Sequence, residues 1–235
     1  MAEVTGLRER KKQRTRDALI RAAHELFVEQ GYEATTVDEI VASVDVSQRT
    51  FFRYFSSKEE VAFALQTLVS ERYLEAVRRR PPGGSPVEVL RSTLDETWQS
   101  IGESLEEIVP IPLHMRMWQI IETTPALVAV DLRRSVEMEE RLAAEIARRE
   151  GLDPDVDPRP RVLVAAFSGV MRAAIRGWSS GEDITVHAAR DAVESYVNQL
   201  GPALSQDWTA GRAAPGGRQS PTAPVPPAPG PPSPN

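Results

Sequence analysis

A short polar segment near the N-terminus carries side chains that could read the edges of DNA bases. Residues 47–54 combine a glutamine, two arginines, a tyrosine and two hydroxyl residues with a pair of phenylalanines. Arginine and glutamine pair with guanine and adenine edges in the major groove, and hydroxyls reach the phosphates. The outer face of a helix in this segment is therefore predicted to bind DNA through Ser47, Gln48, Arg49, Thr50, Arg53 and Tyr54.

Two short capped helices are predicted to position this face. Thr36 and Glu39 have the spacing of a capping box, which starts a helix after Thr36. Asp45 lies in a tight connection, and Ser47 is the predicted N-cap of a second helix that ends near Tyr54 or the next residue. Two such helices form a helix-turn-helix. The side chains expected to fix the angle between them are Val37, Ile40, Val41, Val46, Phe51 and Phe55.

Two further predicted helices flank this pair. The preceding one has apolar residues at helical spacing and ends at Gly31, where glycine adopts the left-handed conformation without steric cost. The following one opens at Ser57–Glu60, which has the spacing of a second capping box, and runs as one long helix to about Arg80. The apolar stripe of the preceding helix consists of Leu19, Ala22, Ala23, Leu26 and Phe27.

Positive charge is concentrated at the N-terminal end of an otherwise acidic chain. The formal net charge is −6, but residues 8–16 contain six basic side chains and one acidic one, Glu9. This distribution is typical of a protein that contacts a polyanion with one end only. We predict a basic N-terminal arm, and the alternative for these residues is an ordinary solvated run of charge.

The segment from about Arg14 to Val61 resembles the DNA-binding domain of the TetR family of transcriptional regulators. The stretches AAHELFVEQGYEATTV, DEIVASVDVS and TFFRYFSSKEEV match it in register. This resemblance implies a DNA-binding regulator that acts as a homodimer. The alternative for this region is a helical packing module that binds no nucleic acid.

Two positions depart from the family pattern. The family usually has glycine where Asp45 stands, and aspartate tolerates the left-handed conformation better than most residues. It favours tyrosine where Phe52 stands, so Phe52 is assigned to packing, since it has no hydroxyl for a phosphate. Phosphate contacts are assigned instead to Tyr54, Lys58 and Thr36, the last two at helix N-termini, where backbone N–H groups also favour phosphate.

The rest of the chain is predicted to be helical until its C-terminal tail. Helical segments are expected at about 86–105, 107–122, 125–150, 159–180 and 184–202, separated by proline and glycine breaks, and no alternating strand pattern occurs. The predicted fold is all-α. It has a helix-turn-helix domain with a basic arm at 1–60 and a helical effector-binding and dimerisation domain at 61–203. Residues 204–235 are rich in proline and are predicted to be disordered.

Large aromatic and sulfur-containing side chains fall on the middle helices of this second domain. Plain core packing would account for such residues, but the TetR resemblance implies an effector pocket between the same helices. His114 and Arg116 are candidates to orient a polar group of the ligand in an apolar cavity. The predicted ligand-binding residues are Trp98, His114, Trp118, Phe167 and Met171.

A looser resemblance covers the stretches MRMWQIIETTPALVAVDLRR, EGLDPDVDPRPRVLVAAF and IRGW. They are similar to a TetR subgroup that includes mycofactocin-associated regulators, and this implies an acyl-CoA-like effector. The family also dimerises through its last two long helices. These carry a small-residue stripe and a bulky one, which could alternatively close the core of the monomer: Val162, Ala165, Ala166, Gly169, Val170 and Ala173, then Val193, Tyr196, Val197 and Leu200.

The composition disfavours several other classes of protein. There is no cysteine, and the three histidines are far apart in sequence, so neither a disulfide framework nor a metal site is expected. No nucleophile–base grouping appears, which disfavours an all-helical enzyme, and no cofactor is expected. No apolar run approaches the roughly 20 residues of a membrane span, and no signal peptide is apparent, so a cytoplasmic protein without a membrane partner is expected.

The sequence therefore predicts a DNA-binding transcriptional regulator. Its expected partners are double-stranded operator DNA, a small-molecule effector and a second copy of the chain. The specific prediction is a repressor that a small apolar or amphipathic effector, such as an acyl-CoA, releases from a palindromic operator. The alternatives are an activator of the same family and a helical adaptor that uses the proline-rich tail.

Overall fold

Helices form every regular element in residues 2–81 and 83–205, the part of the chain that the computed structural model describes. The prediction of an all-α fold is confirmed. The predicted disordered tail, 204–235, lies outside the described residues from 206 onward. The helices are α1 (Ala2–Gln30), α2 (Val37–Ser43), α3 (Gln48–Phe52), α4 (Lys58–Ala62), α5 (Ala64–Arg79), α6 (Pro86–Glu106), α7 (Ile111–Thr123), α8 (Pro125–Glu150), α9 (Arg159–Ser179) and α10 (Val186–Ser205).

The N-terminal helix is longer than its apolar stripe. The basic segment, residues 8–16, is helical and forms part of α1, with residues 8–14 exposed. The helix ends at Gly31 as predicted: its φ is +90°, and its N–H donates to the Phe27 carbonyl at 3.1 Å. The predicted basic arm is therefore an N-terminal extension of helix α1.

Local capping fixes the helix-turn-helix. Glu39 and Thr36 form the predicted capping box, in which the Glu39 N–H donates to the Thr36 hydroxyl and the Thr36 N–H donates to the Glu39 carboxylate. Asp45 adopts the left-handed conformation, with φ 54°. Ser47 caps α3 by accepting from the Thr50 N–H at 3.2 Å. These bonds satisfy helix-end N–H groups that would otherwise have no partner.

The recognition helix α3 ends earlier than predicted, at Phe52. The carbonyl of Phe51 accepts from the N–H groups of both Tyr54 and Phe55, at 2.8 and 2.9 Å. Tyr54 is thereby bonded three residues back, as in a tightened last turn. Arg53 and Tyr54 consequently lie just beyond α3, in the turn that follows it.

The long helix predicted from residue 57 to about residue 80 is interrupted at Phe63. This residue has φ −91° and ψ 6°, outside helical geometry, and it separates α4 from α5. Its ring is fully buried, with the Arg134 guanidinium 5.1 Å from its centroid. No glycine or proline marks the break, so the sequence pattern gave no sign of it.

The capping of α4 also differs in one half from the prediction. Ser57 accepts from the Glu60 N–H as a capping box requires, at 3.2 Å. The Glu60 carboxylate, however, accepts from the N–H and hydroxyl of Ser56 rather than from Ser57. The prediction of Ser57 as the N-cap of α4 is therefore confirmed, but the Glu60 carboxylate bonds to the residue before the cap.

The N-terminal helices do not have a separate hydrophobic core. The predicted small core is present, with Ile40, Val41, Phe51 and Phe55 buried and Val37 and Val46 partly buried. It is continuous with Met117 and Ile121 of α7, which packs against α1. A second hydrophobic cluster is formed by residues of α5, α6, α7, α8, α9 and α10. No helix in the described ranges is long and apolar enough to span a membrane.

Two buried histidines meet where α1 packs on α7. His24 has no exposed surface and faces the Val61 and Ala62 backbone without a hydrogen bond of ordinary geometry. Burial, and then the nearby His114, lowers the pKa of His24 to about 3. Burial also lowers the pKa of His114 to about 4. Both rings are therefore neutral at pH 7.

We predict that Asp45→Ala destabilises the protein by about 1 kcal/mol, because alanine pays a steric penalty in the left-handed conformation. Asp45→Gly should not destabilise it, since glycine adopts this conformation freely. Urea denaturation of both variants measures the two free energies of unfolding. Equal effects of the two substitutions would contradict the proposed importance of the backbone conformation at this turn.

We also predict that neither His24 nor His114 takes up a proton between pH 8 and pH 5. Their pKa values are lowered by burial, whereas an unfolded chain binds these protons near pH 6.5. Each histidine therefore lowers stability as the pH falls below about 6.5. Imidazole proton resonances, assigned with His24→Gln and His114→Gln, should stay constant across this range. A shift with a midpoint above pH 5 would show that the ring is hydrated.

Candidate DNA-binding surface and ligand cavity

The predicted DNA-reading face lies on and just after α3. On the opposite side of α3, Phe51 is fully buried in the core. The burial of Phe51 fixes the rotation of α3 and directs its polar residues outward. Of the six predicted residues here, four are exposed and two are half-buried: Ser47, Gln48, Arg49 and Arg53, then Thr50 and Tyr54.

Some of these polar side chains already form hydrogen bonds within the protein, and others do not. Arg49 forms no hydrogen bond or ion pair with any described residue, so its guanidinium can reach outward. The Gln48 amide donates to Asp38 on α2, and the Ser47 and Thr50 hydroxyls lie 3.1 Å apart in a hydrogen bond. Base recognition would therefore require Gln48 to exchange its partner, whereas Arg49 needs no rearrangement.

Arg53 and Tyr54 form a stacked pair at the end of this face. The guanidinium carbon of Arg53 lies 5.0 Å from the Tyr54 ring centroid, and the group donates to the Tyr54 hydroxyl at 3.3 Å. Stacking on an aromatic face restricts a long side chain that would otherwise be mobile. The guanidinium and phenol are thus presented together, as a donor set suited to a phosphate.

Lys58 is placed differently from the sequence prediction. Its ammonium donates to the carbonyls of Tyr32 and Thr35, at 2.7 and 2.8 Å, and lies 4.3 Å from the Tyr32 ring centroid. It holds the α1–α2 corner to α4 instead of projecting freely. Thr36 is exposed at this corner, and its hydroxyl donates to the Glu39 carboxylate.

Phe52 was assigned to packing, and this prediction is wrong. The residue is 52% exposed and meets only the edge of Phe51, with ring centroids 5.3 Å apart. Consecutive residues of a helix point in different directions. Phe51 faces the core, and the side of α3 to which Phe52 points is open to solvent.

The basic part of α1 reaches the same end of the molecule. Arg16 lies with its guanidinium carbon 5.5 Å from the Phe55 ring centroid, which links this segment to the helix-turn-helix. Residues 8–14 are exposed along the preceding turns. Arg16 therefore lies beside the helix-turn-helix, and the other predicted basic residues precede it along α1.

A cavity of about 270 Å³ is lined by residues of α5, α6, α7, α8, α9 and α10. This is near the lower end of the range of about 300–1,000 Å³ for small-molecule sites. Four of the five predicted ligand residues line it: Trp98, His114, Trp118 and Met171. Other apolar lining comes from Val69, Leu94, Leu105, Ile111, Met115, Ile175 and Val186.

Tryptophan rings form a continuous wall beside the cavity. Trp98 and Trp118 are stacked, with centroids 6.2 Å apart and planes 22° from parallel. The Trp178 ring centroid lies 5.4 Å from that of Trp118, with the planes 56° apart, and the His114 ring lies 6.2 Å from Trp118. The indole N–H of Trp98 is buried without a hydrogen-bond partner. A flat apolar ligand would therefore find a large aromatic surface with unused polar groups.

Two residues predicted for this site do not reach it. Phe167 is 1% exposed and packs inside the second core cluster, and it is not part of the cavity wall. Met171, one turn later on α9, lines the cavity instead. Arg116 is exposed and does not line the cavity, although His114 does. The direction of each side chain depends on how α7 and α9 rotate against their neighbours.

The sequence prediction identified His114 but missed the acidic and amide groups of the cavity. Burial, and then the neighbouring Asp131, raises the pKa of Glu122 to about 7. Burial also raises the pKa of Asp131. Both polar atoms of the Gln66 side-chain amide are buried without a partner. Glu122 follows Trp118 by four residues and therefore shares its helix face, a signal that could have identified this carboxyl.

The cavity opens between α5, α8 and α9. A surface depression there shares several lining residues with the cavity, including Gln66, Asp131 and Arg172. The Arg172–Glu139 ion pair lies at this opening, and an Arg141–Glu71 pair lies further out. The entrance is therefore polar and of mixed charge, while the interior is mainly apolar.

The two stripes predicted for dimerisation are divided between surface and core. Val193 and Val197 of α10 are buried in the core of the monomer. Val162 of α9 is 64% exposed and Tyr196 of α10 is 47% exposed. The two helices pack against each other. Their outer sides leave apolar surface available for another chain.

Comparison with known proteins agrees with this arrangement. Residues 19–65 match the family model described as bacterial regulatory proteins of the tetR family, and residues 104–205 match the MftR C-terminal domain. The chain is 46% identical over 203 residues to the HTH-type transcriptional regulator TcmR of Streptomyces glaucescens, covering 86% of this chain and 90% of that protein. It is 26% identical over 178 residues to the putative mycofactocin biosynthesis transcriptional regulator MftR of Mycobacterium tuberculosis, covering 74% and 85%.

Solved structures show the same fold at lower identity. A putative TetR-family regulator from Syntrophomonas wolfei has a TM-score of 0.56 and 18% identity, with 80% of this chain and 95% of that chain covered. A regulator from Aquifex aeolicus has a TM-score of 0.50 and 17% identity, with 80% and 99% covered. Proteins of this kind bind DNA as dimers, respond to small molecules and are not enzymes. On the sequence match to TcmR and the agreement of fold, the chain belongs to the TetR family of transcriptional regulators.

Proposed function

We propose that the protein is a repressor that leaves its operator when a small apolar or amphipathic molecule enters the cavity. The observation that supports this most strongly is the shared core of the two functional units. Residues 1–60, the proposed DNA-binding domain, pack through α1 on α7, and α7 carries His114, Trp118 and Glu122 of the cavity wall. Residues 61–203 form the proposed effector and dimerisation domain.

On DNA, Arg49 and Gln48 are proposed to contact base edges, since both are exposed near the start of α3. Phosphate contacts are proposed for Thr36, Ser47, Thr50, Arg53 and Tyr54. We propose that Lys58 acts from behind this surface, because its ammonium fixes the Tyr32–Thr35 corner next to Thr36. Its charge still adds to the attraction for phosphates.

The operator is proposed to be a near-palindrome. A twofold dimer presents two identical recognition helices, which contact half-sites related by the same symmetry. The exposed apolar surface of α9 and α10, including Val162 and Tyr196, is proposed to form the dimer contact. This surface is distinct from α3, so dimerisation would leave both reading faces free.

The cavity is proposed to hold the apolar part of the effector. An acyl-CoA, the candidate that the MftR-like C-terminal domain suggests, could place only its acyl chain in about 270 Å³. Its nucleotide would have to lie outside the opening. A ligand shifts DNA binding only if it binds one helix arrangement better than another. Because α7 contacts both α1 and the cavity, displacement of α7 would change the position of α3.

We predict that the protein protects a short near-palindrome upstream of its own or a neighbouring gene in a footprinting experiment. Arg49→Ala should weaken binding to this site by about 1–3 kcal/mol and relax its sequence preference. Arg133→Ala is the matched control, since Arg133 is also exposed but lies on α8. Wild-type affinity and sequence preference in Arg49→Ala would contradict the assigned reading face.

We also predict that an effector lowers operator affinity by about 5- to 150-fold, and that operator DNA lowers effector affinity by the same factor. Fluorescence anisotropy of labelled operator measures the first effect, and calorimetry with and without operator measures the second. Trp118→Leu should reduce the effector response while DNA affinity without effector stays unchanged. A confirmed effector that releases DNA equally well from Trp118→Leu would show that it binds elsewhere.

A further inference from the structure

We infer that the effector carries a positively charged nitrogen on an apolar, aromatic frame, with the nitrogen held between the carboxyl groups of Glu122 and Asp131. This inference rests on the proposed function, because it names the class of ligand for the same cavity. It depends on four observations: two unpaired acidic groups, unpartnered acceptors beside them, aromatic walls, and arginines that are engaged elsewhere.

The two acidic groups have no cation of their own. Neither Glu122 nor Asp131 lies within 4.0 Å of a basic nitrogen in the described part of the chain, although both line the cavity. Glu122 has Trp118 as a hydrogen-bond partner. Two carboxyl groups facing one partly enclosed space repel each other when ionised, and burial adds a desolvation cost. A cation bound between them would remove the repulsion and offset the desolvation.

Arginines near these carboxyls are engaged with other groups. Arg172 pairs with Glu139 at the opening, and Arg134 donates to the Thr67 hydroxyl while stacking on Phe63. Arg176 on α9 affects Glu122 through its charge, but it is exposed. Arg172 also lines the cavity, but its charge is paired with Glu139, so Glu122 and Asp131 are the charged lining groups without an ion-pair partner among the described residues.

Unpartnered hydrogen-bonding groups in the cavity include acceptors for a ligand N–H, beside two donors, the Trp98 indole N–H and the Gln66 amide N–H. His114 is 5% exposed, lines the cavity, and has a buried Nδ1 without a partner. Its lowered pKa, about 4, keeps the ring neutral, so one ring nitrogen can accept a hydrogen bond. The carbonyl oxygen of the Gln66 side chain is also buried and unpartnered. Buried polar groups normally have partners, and a ligand N–H would supply them.

The aromatic wall favours the same charge. Trp98 and Trp118 present their rings to the cavity and to each other. The face of an indole ring attracts cations, and the attraction grows when the cation is desolvated. The same rings provide flat apolar contact for an aromatic frame. An anionic head group would instead meet two carboxyls, with Arg172, already paired with Glu139, as the positively charged lining residue.

The pH dependence has a definite sign. The pKa of Glu122 is about 7, raised by burial and Asp131 and opposed by Arg176 and the Trp118 bond. The other charged groups around the carboxyl pair are Arg134 of α8 and Arg172 of α9, which lower the pKa of Asp131, while His114 is neutral. A bound cation favours the ionised form of Glu122. Cation affinity should therefore rise as the pH rises through 7, with proton release on binding.

The test uses the full chain and three naphthalene compounds that differ mainly in charge. They are naphthalen-2-ylmethylamine, a cation; naphthalen-2-ylmethanol, which is neutral; and 2-naphthoate, an anion. Titration calorimetry at pH 8 should show the cation binding at least about tenfold more tightly than the anion, the ratio that one contact of about 1.4 kcal/mol produces. Repeating the titration at pH 6 should weaken the cation alone.

Substitutions of the two carboxyl groups test whether they bind the cation. Glu122→Gln and Asp131→Asn should each lower cation affinity about tenfold, leave the neutral compound unchanged, and reduce proton release in buffers of different ionisation enthalpy. Glu137→Gln is the matched control, since this carboxyl lies at the outer opening. Thermal melting of each variant shows whether it is folded, and binding of the neutral compound shows whether its cavity is intact.

The possible outcomes separate this inference from the proposed repressor function. Equal binding of cation and anion, including no binding of either, overturns the inference, as does preference for the anion. Operator footprinting is independent of these results. If the cation binds through Glu122 but never releases operator DNA, the charge assignment stands and the proposed release mechanism fails. If an uncharged or anionic compound releases the DNA without dependence on Glu122, the repressor function stands and the inference fails.

Discussion

The packing of α1 on α7 is the contact on which the rest of the structure depends. The N-terminal helices α1 to α4 form a small unit, and small units bury a low fraction of their surface. They therefore offer too little apolar surface for an independent hydrophobic core. Phe27, Phe51 and Phe55 therefore share a cluster with Met117 and Ile121 of α7. His24 and His114 are buried neutral along this contact. A movement of α7 therefore cannot leave the DNA-binding helices undisturbed.

The opposite face of α7 borders the cavity, which explains how an apolar ligand could communicate with α3 across the protein. Trp118 and Glu122 face the ligand space, whereas Met117 and Ile121 face the N-terminal core. The cavity and the N-terminal core are thus separated only by the width of α7. A packed interior transmits small displacements because it does not deform continuously. The break at Phe63, beside Arg134, separates α4 from α5, and α5 itself joins the two clusters: Ala64 and Leu65 lie in the first and Leu74 and Val77 in the second.

The interior of the cavity combines features that stability alone would not favour. Unpaired carboxyls, a neutral histidine with an unpartnered nitrogen and an unbonded glutamine amide each cost free energy when buried. Replacing them with aliphatic side chains would fill the space and remove these costs. Such groups in a concave site are typical of ligand recognition. The opening, by contrast, is polar and contains the Arg172–Glu139 ion pair, whereas the interior is mainly apolar.

The sequence by itself determined the helices, the caps of α2 and α3, the turn at Asp45 and the polar face around Arg49, because these depend on residues within a few positions of one another. It also located Trp98, His114, Trp118 and Met171, through residue type and family resemblance. Only the tertiary structure decided which way side chains face between distant helices. Phe52 is exposed, Phe167 lies in the core, Lys58 binds two carbonyls and the Glu122–Asp131 pair faces the cavity. Each outcome depends on the rotation of one helix against another, and that rotation is fixed by packing over the whole chain rather than by local sequence.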